Sequence, residues 1–274
     1  MKSGKFVTTV GFEKLYNPAL QFKDRDAFVE YMNEDQPVRP ANIPNVMAIN
    51  QGRMPLTMDE PRAPCVPVTD VSDLIGAGHI VVDTRSEVAF GSGHIPGSYN
   101  VQLASPEFEQ RFGWVTPLDA PVILVAESEP DAQRALHALA FLGLDARVKG
   151  CVVDGIADWA DRDRHLAILP QISVQELDSR LRGGEGMRVL DVRETSEWDA
   201  GHIEGAHYLN YKFLPEQIGQ LELDPKDPIS VVCGGGLRSS TACSILMQHG
   251  FEDLHNTTGG MTAWVAAGLP TSAA

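Results

Sequence analysis

Hydrophobic residues in this chain come in short runs that alternate with longer segments of helical periodicity. Four such runs, at 79–82, 121–126, 187–192 and 228–233, are short enough for buried strands. Amphipathic stretches lie between them, and this alternation is typical of a parallel sheet with helices on both faces. The pattern therefore predicts an α/β fold.

The start of one helix can be placed closely. Ser173 precedes apolar residues at positions i, i+3 and i+7 of the stretch 174–181, and Glu176 follows three residues after the serine. This spacing predicts an N-cap with a capping box at Ser173. Residues 68–75 open an earlier helix in a similar way, and a linker that contains Pro170 separates the two regions.

The two halves of the chain are related to each other. Residues 81–97 and 189–205 align without a gap at an offset of 108, and seven of the seventeen positions are identical. The identical pairs are Val81/Val189, Asp83/Asp191, Arg85/Arg193, Gly93/Gly201, His94/His202, Ile95/Ile203 and Gly97/Gly205. A period of this length is the size of a domain and exceeds that of solenoid repeats. We therefore predict two homologous domains, at 65–168 and 171–274.

Residues 1–64 belong to neither repeat. A helix is predicted at 24–33, with an apolar face formed by Ala27, Phe28, Tyr31 and Met32. Four prolines follow it, at positions 37, 40, 44 and 55. Because proline interrupts regular structure, we expect this segment to lie extended over another surface rather than to form its own core.

Composition narrows the classes of function. The 274 residues carry a net charge of −15, and no cluster of Lys and Arg offsets it, so nucleic acid is not an expected partner. No apolar run approaches the length that crosses a bilayer, and the N-terminus lacks the apolar stretch of a signal peptide. The four cysteines show no C-x-x-C spacing, which argues against a disulfide scaffold or a zinc ribbon. We expect a cytoplasmic protein without membrane contact.

The strongest candidate for chemistry is Cys233. A predicted strand at 229–232 ends there, three glycines and Arg238 follow, and a helical run continues from Thr241. Consecutive glycines can adopt positive φ and turn their N–H groups inward as an anion-binding nest. The start of the helix and Arg238 would add positive charge and favour the thiolate of Cys233. The alternative is a buried structural cysteine beside a flexible turn.

These residues resemble the rhodanese, or sulfurtransferase, family. The matching elements are Asp191 with Arg193, the run Gly-His-Ile-x-Gly-Ala at 201–206, and the loop that begins at Cys233; the resemblance covers about residues 66–272 as two units. It implies that the loop cysteine takes a sulfane sulfur from a small donor, thiosulfate or glutathione persulfide, and passes it as a persulfide to a thiol or to cyanide. No cofactor is implied. By resemblance, Cys233 is the nucleophile and the substrate-binding residues are Gly234, Gly235, Gly236, Leu237, Arg238 and Ser239.

Two other functions are weighed against sulfur transfer. Tyrosine-phosphatase-type enzymes and related arsenate reductases use Cys-x5-Arg, whereas four residues separate Cys233 from Arg238 here. The shorter loop suits a single sulfur atom better than a phosphoryl group. The second alternative, a non-enzymatic interaction or sulfur-carrier module, would need a Cys233 that is no more reactive than the other cysteines.

The first repeat serves as an internal comparison. At an offset of 107, Ala126 stands opposite Cys233 and Asp131 opposite Arg238, and two acids and a proline replace the glycines between them. We therefore predict a catalytically inactive first domain. Structural roles are expected for Cys151, Cys243, the pair His94/His202, the pairs Asp83/Asp191 and Arg85/Arg193, and the pair Trp159/Trp264.

Residues 9–57, especially 9–13, 17–20 and 39–43, resemble the tail of metallo-β-lactamase-fold persulfide dioxygenases that continue into rhodanese units. The His-x-His-x-Asp-His motif of that fold is absent, so no iron or zinc site is predicted. The chain is then either a fragment of a longer fusion or a protein that has lost its oxygenase part. In the second case a separate persulfide dioxygenase is an expected partner.

The charge pattern also bears on the sulfur donor. No charged side chain lies between Cys233 and Arg238, and the chain as a whole is strongly acidic. A dianion such as thiosulfate gains less attraction from such a site. This favours a low-molecular-weight persulfide, such as that of glutathione, as the donor.

Overall fold

The computed structural model describes residues 7–34, 42–55, 59–160 and 164–272, and the chain divides into one unit at 1–39 and another at 40–274. The first unit contains helix α1 (Val10–Tyr16), a 3-10 turn (Pro18–Gln21) and helix α2 (Arg25–Asn33). The carboxylate of Asp24 accepts a hydrogen bond from the Ala27 N–H and caps α2, so the helix predicted at 24–33 is confirmed.

The second unit opens with a helix that the sequence reasoning missed. Residues Ile43–Asn50 form α3, so the expectation of an extended segment is wrong there. Pro44 lies in the first turn of α3, where its missing N–H would have had no intrahelical partner anyway. Asn42, just before the helix, donates from Nδ2 to the carbonyl of Leu142 at 2.9 Å and so holds α3 against the first repeat. The expectations at Pro37 and Pro40 lie outside the described residues.

The first repeat forms a four-stranded parallel sheet in the order β2-β1-β3-β4. Its elements are α4 (Val71–Gly76), β1 (Ile80–Asp83), α5 (Glu87–Ser92), β2 (Tyr99–Asn100), α6 (Phe108–Val115), β3 (Val122–Ala126), α7 (Glu129–Ala140), β4 (Val148–Val153) and α8 (Ile156–Ala160). All five residues of β3 are buried, which explains why this strand reads as an uninterrupted apolar run.

The second repeat forms a five-stranded parallel sheet in the order β5-β9-β8-β6-β7. Its elements are β5 (Gln171–Ile172), α9 (Val174–Gly183), β6 (Arg188–Asp191), α10 (Thr195–Asp199), β7 (His207–Tyr208), α11 (Leu214–Gln217), β8 (Ile229–Val232), α12 (Leu237–Gln248), β9 (Leu254–Thr257) and α13 (Gly260–Ala266). Ser173 caps α9 by accepting from the Glu176 N–H at 3.1 Å, as predicted. The expected capping box is not formed, because the Glu176 carboxylate accepts from Arg180 at 2.6 Å instead. With helices flanking both sheets, the predicted fold class is confirmed.

The two sheets differ at one edge. In the second sheet, β5 pairs with β9, whereas the corresponding edge of the first sheet is a single parallel bridge between Cys65 and Cys151. The Val66 N–H donates to the Cys151 carbonyl at 2.8 Å and the Cys151 N–H donates to the Pro64 carbonyl at 2.9 Å, so residues 64–66 lie alongside β4.

The residues shared by both repeats brace the turn after the first central strand. Arg193 donates from Nε and Nη2 to Asp191 and also from Nη2 to the Gly201 carbonyl at 2.8 Å. Arg85 makes the same contacts with Asp83 and Gly93. His202 stacks on Trp198 with ring centroids 3.6 Å apart. These contacts, with the burial of Trp159 and Trp264, fit the structural roles that were predicted.

The repeats also share one interface, and it positions α12. A single apolar cluster contains buried residues of both repeats. Polar contacts lie beside it: Ser240 donates to Asn100 Oδ1 at 2.7 Å, the Asn100 N–H donates to Ser244 Oγ at 3.0 Å, and Gln248 donates to the Gly97 carbonyl at 2.6 Å. Three positions along α12 are thereby tied to the first repeat.

In the part of the chain that the structure describes, every helix is too short or too polar to cross a bilayer.

Candidate functional site

Cys233 follows directly after β8, at the carboxyl edge of the second sheet, where parallel α/β sheets commonly form their sites. Its side chain is 1% exposed. The Gly236 N–H donates to Cys233 Sγ at 3.1 Å, and the hydroxyl of Ser239 lies 3.4 Å from the same sulfur. The loop therefore curls around the sulfur and presents a backbone donor and a hydroxyl to it.

The three glycines of the loop do not share one conformation. Only Gly236 has a positive φ, of 109°, so the expectation of successive positive-φ glycines is wrong for Gly234 and Gly235. One left-handed residue suffices to turn the chain from the loop into α12. Gly234 instead provides space, because a Cβ there would lie 2.8 Å from Nη2 of Arg238. At Gly235, a Cβ would contact nothing within 4 Å.

A second close approach fixes the backbone of the cysteine itself. The Met261 N–H donates to the Cys233 carbonyl at 2.7 Å, and the Thr262 N–H donates to the Gly234 carbonyl at 3.0 Å. Gly260 adopts φ 51°, and a Cβ on it would lie 2.2 Å from the Cys233 carbonyl oxygen. The start of α13 thus packs directly against the loop, and only glycine fits at position 260.

Helix α12 begins at Leu237, four residues earlier than the helical run expected from Thr241. Its N-cap is Gly236, and no side chain accepts a hydrogen bond from its first turn. Backbone N–H groups at an uncapped helix start, together with the helix dipole, favour a negative charge beside them. The helix start is thus placed where it would favour an anion beside Cys233, which stays a prediction.

Arg238 does not act as the free cation that the sequence suggested. Its guanidinium donates from Nη1 and Nη2 to both carboxylate oxygens of Glu197, at 2.6 and 2.8 Å. This pairing raises the pKa of Arg238 and holds the pKa of Glu197 below its ordinary value. Such a two-pronged ion pair neutralises most of the charge, so Arg238 mainly ties the loop to α10. Sequence reasoning missed Glu197, which lies 41 residues away.

Ser239 connects the sulfur to a buried polar chain. Its hydroxyl donates to Asn256 Oδ1 at 2.5 Å, and Asn256 Nδ2 donates to Gln171 Oε1 at 2.8 Å. Ser239 and Asn256 are fully buried. Because the serine proton is engaged with the amide, its oxygen lone pairs remain available to a thiol proton on Cys233.

A cavity of about 590 Å³ opens beside Cys233, and both repeats line it. The second repeat contributes Glu197, Cys233, Gly234, Gly235, Leu237, Arg238 and Thr262, and the first contributes Ser105, Pro106, Glu107 and Arg111. The predicted loop residues are therefore brought together, except that Gly236 and Ser239 lie behind the lining. The first-repeat residues were not singled out by the sequence reasoning, since no motif marks them.

Comparison with known proteins settles the family. A family model described as the rhodanese-like domain matches residues 67–162 and again residues 173–267. The chain belongs to the rhodanese-like family. Both repeats are thus rhodanese-like domains, and the tandem arrangement inferred from the duplication is confirmed.

Named relatives agree with this assignment. The chain is 33% identical over 101 residues to a thiosulfate sulfurtransferase, GlpE, of Shewanella oneidensis, a match that covers 37% of this chain and 91% of the relative. It is 34% identical over 101 residues to a sulfurtransferase of Allochromatium vinosum, covering 36% and 92%. The family and these relatives support a sulfurtransferase of rhodanese type.

Among solved structures, a metallo-beta-lactamase from Staphylococcus aureus matches at 25% identity with a TM-score of 0.43, covering 53% of this chain and 38% of that one. The resemblance of the N-terminal residues to a persulfide dioxygenase tail stays a prediction.

The first rhodanese-like domain has no thiol at the position that corresponds to Cys233. Ala126 occupies it. Helix α7 begins at Glu129, soon after this position, and Ser128 caps it by accepting a hydrogen bond from the Asp131 N–H at 3.3 Å. Asp131, at the position of Arg238, is itself an anion and pairs with Arg134. A capped helix start has its first N–H groups partly satisfied, which removes the donors that the second domain leaves open.

The remaining cysteines differ in their surroundings. Cys243 is fully buried in α12, and burial raises the pKa of its thiol. Burial, with the nearby Cys65, raises the pKa of Cys151 to about 11. Cys65 is exposed and lies opposite Cys151 in the sheet bridge. Within the described ranges, no group of three or more His, Cys, Asp or Glu side chains is arranged to hold a metal ion.

Proposed function

We propose that this protein moves sulfane sulfur from a small donor to a thiol or cyanide acceptor through a persulfide on Cys233, with the second domain active and the first inactive. The observation that carries the proposal is the cysteine at the end of β8, contacted by the Gly236 N–H and facing the cavity beside an uncapped helix start. Membership of the rhodanese-like family supports the reaction class.

The proposed reaction has two half-steps. In the first, the Cys233 thiolate attacks the outer sulfur of thiosulfate, a new S–S bond forms, and the electron pair of the old S–S bond leaves with sulfite. With a persulfide donor, the leaving group is the donor's thiolate. In the second, cyanide or an acceptor thiolate attacks the outer sulfur of the Cys233 persulfide, and the electron pair returns to Cys233 as thiolate. The enzyme alternates between two covalent states, which predicts ping-pong kinetics.

The loop would stabilise the negative charge in both states. A terminal persulfide sulfur on Cys233 would lie beside the start of α12, whose first N–H groups have no side-chain cap as acceptor and so can donate to it. Preorganised backbone donors of this kind need no reorganisation when charge develops. A Cys-x4-Arg loop whose arginine is already bound to Glu197 offers little to a phosphoryl group, so a phosphatase function is not favoured.

The donor is proposed on electrostatic grounds. Because Glu197 neutralises Arg238, the loop itself holds no unpaired cation for a dianion. This extends the preference for a low-molecular-weight persulfide such as that of glutathione, with thiosulfate as the alternative. A separate persulfide dioxygenase as partner and a cytoplasmic location stay predictions.

The test is to expose the full chain to thiosulfate or glutathione persulfide and to examine the peptide that contains Cys233 by mass spectrometry. A gain of about 32 Da on that peptide, one sulfur atom, is expected. Cys233→Ala should abolish transfer to cyanide, whereas Cys65→Ser, at the exposed thiol, serves as the matched control and should retain it. Transfer that survives Cys233→Ala would overturn the assignment.

A further inference from the structure

Four charged side chains line the cavity beside Cys233: Glu107, Arg111, Glu197 and Arg238. Two of them, Arg238 and Glu197, form the tight ion pair described above. The other two are only loosely associated, since Nη2 of Arg111 lies 3.9 Å from the Glu107 carboxylate, beyond hydrogen-bonding distance. Arg111, which comes from the first domain, is therefore the cation of this cavity whose charge is least compensated.

Arg111 also has a donor without an acceptor in the part of the chain that the structure describes. Its side chain is 4% exposed, and Nη1 donates to Gln102 Oε1 at 3.0 Å. Its Nε is buried and finds no hydrogen-bond acceptor among the described residues. A buried guanidinium with an unused N–H is costly in free energy unless a ligand supplies the acceptor.

The position of Arg111 is fixed relative to the loop. Gln102, which holds its Nη1, donates from Nε2 to the carbonyl of Leu237 at 3.3 Å, and Leu237 is the first residue of α12. On its other side the guanidinium lies 5.6 Å from the ring centroid of Tyr211. The guanidinium is therefore held one side chain away from the helix start that faces Cys233.

We propose that Arg111 of the first rhodanese-like domain binds the anionic oxygen group of the sulfur donor while Cys233 takes its sulfane sulfur. The inference rests on the proposed function and names the group of the donor that is recognised. Arginine matches the geometry of a sulfonate or a carboxylate with paired N–H groups. The group is the sulfonate in thiosulfate and a carboxylate in glutathione persulfide. The domain without a thiol thus supplies part of the substrate site.

The test compares the full-length chain with the variants Arg111→Gln, Arg111→Lys and Glu107→Gln. Loss of a charge-assisted contact in Arg111→Gln should raise KM for the recognised donor about tenfold to a hundredfold, with a much smaller change in kcat. Arg111→Lys keeps the positive charge but lacks the planar guanidinium with its paired N–H groups. Its KM should therefore lie between those of the parent chain and of Arg111→Gln. Glu107→Gln removes a half-exposed competing carboxylate and should lower KM about two- to fivefold.

Running both donors identifies the group. A rise in KM confined to thiosulfate assigns the sulfonate, and a rise confined to glutathione persulfide assigns the carboxylate. Inorganic sulfate serves as an unreactive probe of the same site, because its binding can be measured by calorimetry without turnover. Its Kd should rise in Arg111→Gln and fall in Glu107→Gln.

Opposite shifts in the two variants are a result that a merely structural role of Arg111 would not give. Unchanged KM for both donors together with unchanged sulfate binding would overturn the inference. Should Arg111→Gln prove poorly folded, Glu107→Gln decides alone, and a KM and sulfate Kd equal to those of the parent chain count against the proposal. Failure of the proposed function appears separately, as activity that persists in Cys233→Ala.

Discussion

Replacement of Gly260 by alanine should destabilise the protein and disturb Cys233 without altering any group that touches a substrate. Alanine at φ 51° costs about 1–2 kcal/mol. Its Cβ would also lie 2.2 Å from the Cys233 carbonyl oxygen, and relief of that overlap by a backbone shift costs about 1–3 kcal/mol. Together these give a loss of about 2–5 kcal/mol in the free energy of unfolding.

Thermal and urea unfolding measure this loss, and a fall in Tm of roughly 4–20 °C is expected for a chain of this size. The rate of sulfur transfer should fall as well, because the shift moves the backbone that carries the sulfur. Gly219→Ala is the control: its added Cβ would contact nothing within 4 Å and its φ is not positive, so stability should stay within about 0.5 kcal/mol of the parent. A Gly260→Ala protein as stable as the control would refute the reasoning.

Three further predictions concern charge, thiol reactivity and the buried polar chain. Because Arg238 depresses the pKa of Glu197, the pair stabilises the fold above the ordinary value of 4.5, and that stabilisation is lost as pH falls through the lower folded pKa. Glu197→Gln should therefore unfold with a shallower dependence on pH below about 4.5, as acid titration of the Tm can check. With its pKa raised to about 11, Cys151 should react with iodoacetamide far more slowly than exposed Cys65 at mildly basic pH, and equal labelling by mass spectrometry would contradict this. Ser239→Ala should lower the free energy of unfolding by about 1–3 kcal/mol in urea titrations, because it leaves a buried amide oxygen without its donor; no measurable loss would count against the hydrogen-bonded chain.

Local patterns predicted much of the fold because they depend on neighbouring residues. The strand that ends at Cys233, the cap at Ser173 and the duplication were all visible in this way. The helix Ile43–Asn50 was missed, since its proline was interpreted as a break although proline is well suited to a first turn.

The site was harder to predict where it depends on long-range packing. The pairing of Arg238 with Glu197 joins residues that no local sequence pattern connects. Because of this pairing, Arg238 is not a free cation and instead ties the loop to α10. Arg111 reaches the cavity only because the two domains pack together, which one domain's motif cannot reveal. The conformation of the glycines also depended on their neighbours, because only Gly236 takes the left-handed turn that was expected of all three.

The apolar cluster that spans both repeats also has a consequence for dissecting the protein. Trp114 of the first domain meets Tyr211 of the second edge to face, with ring centroids 6.2 Å apart, inside the same buried region that includes Cys233. In a second domain expressed alone, this apolar interior would be exposed to water, and large exposed apolar patches promote aggregation. The two domains should therefore unfold in one cooperative transition. If a truncated second domain is inactive, the cause would be its loss of solubility and not the absence of a catalytic group.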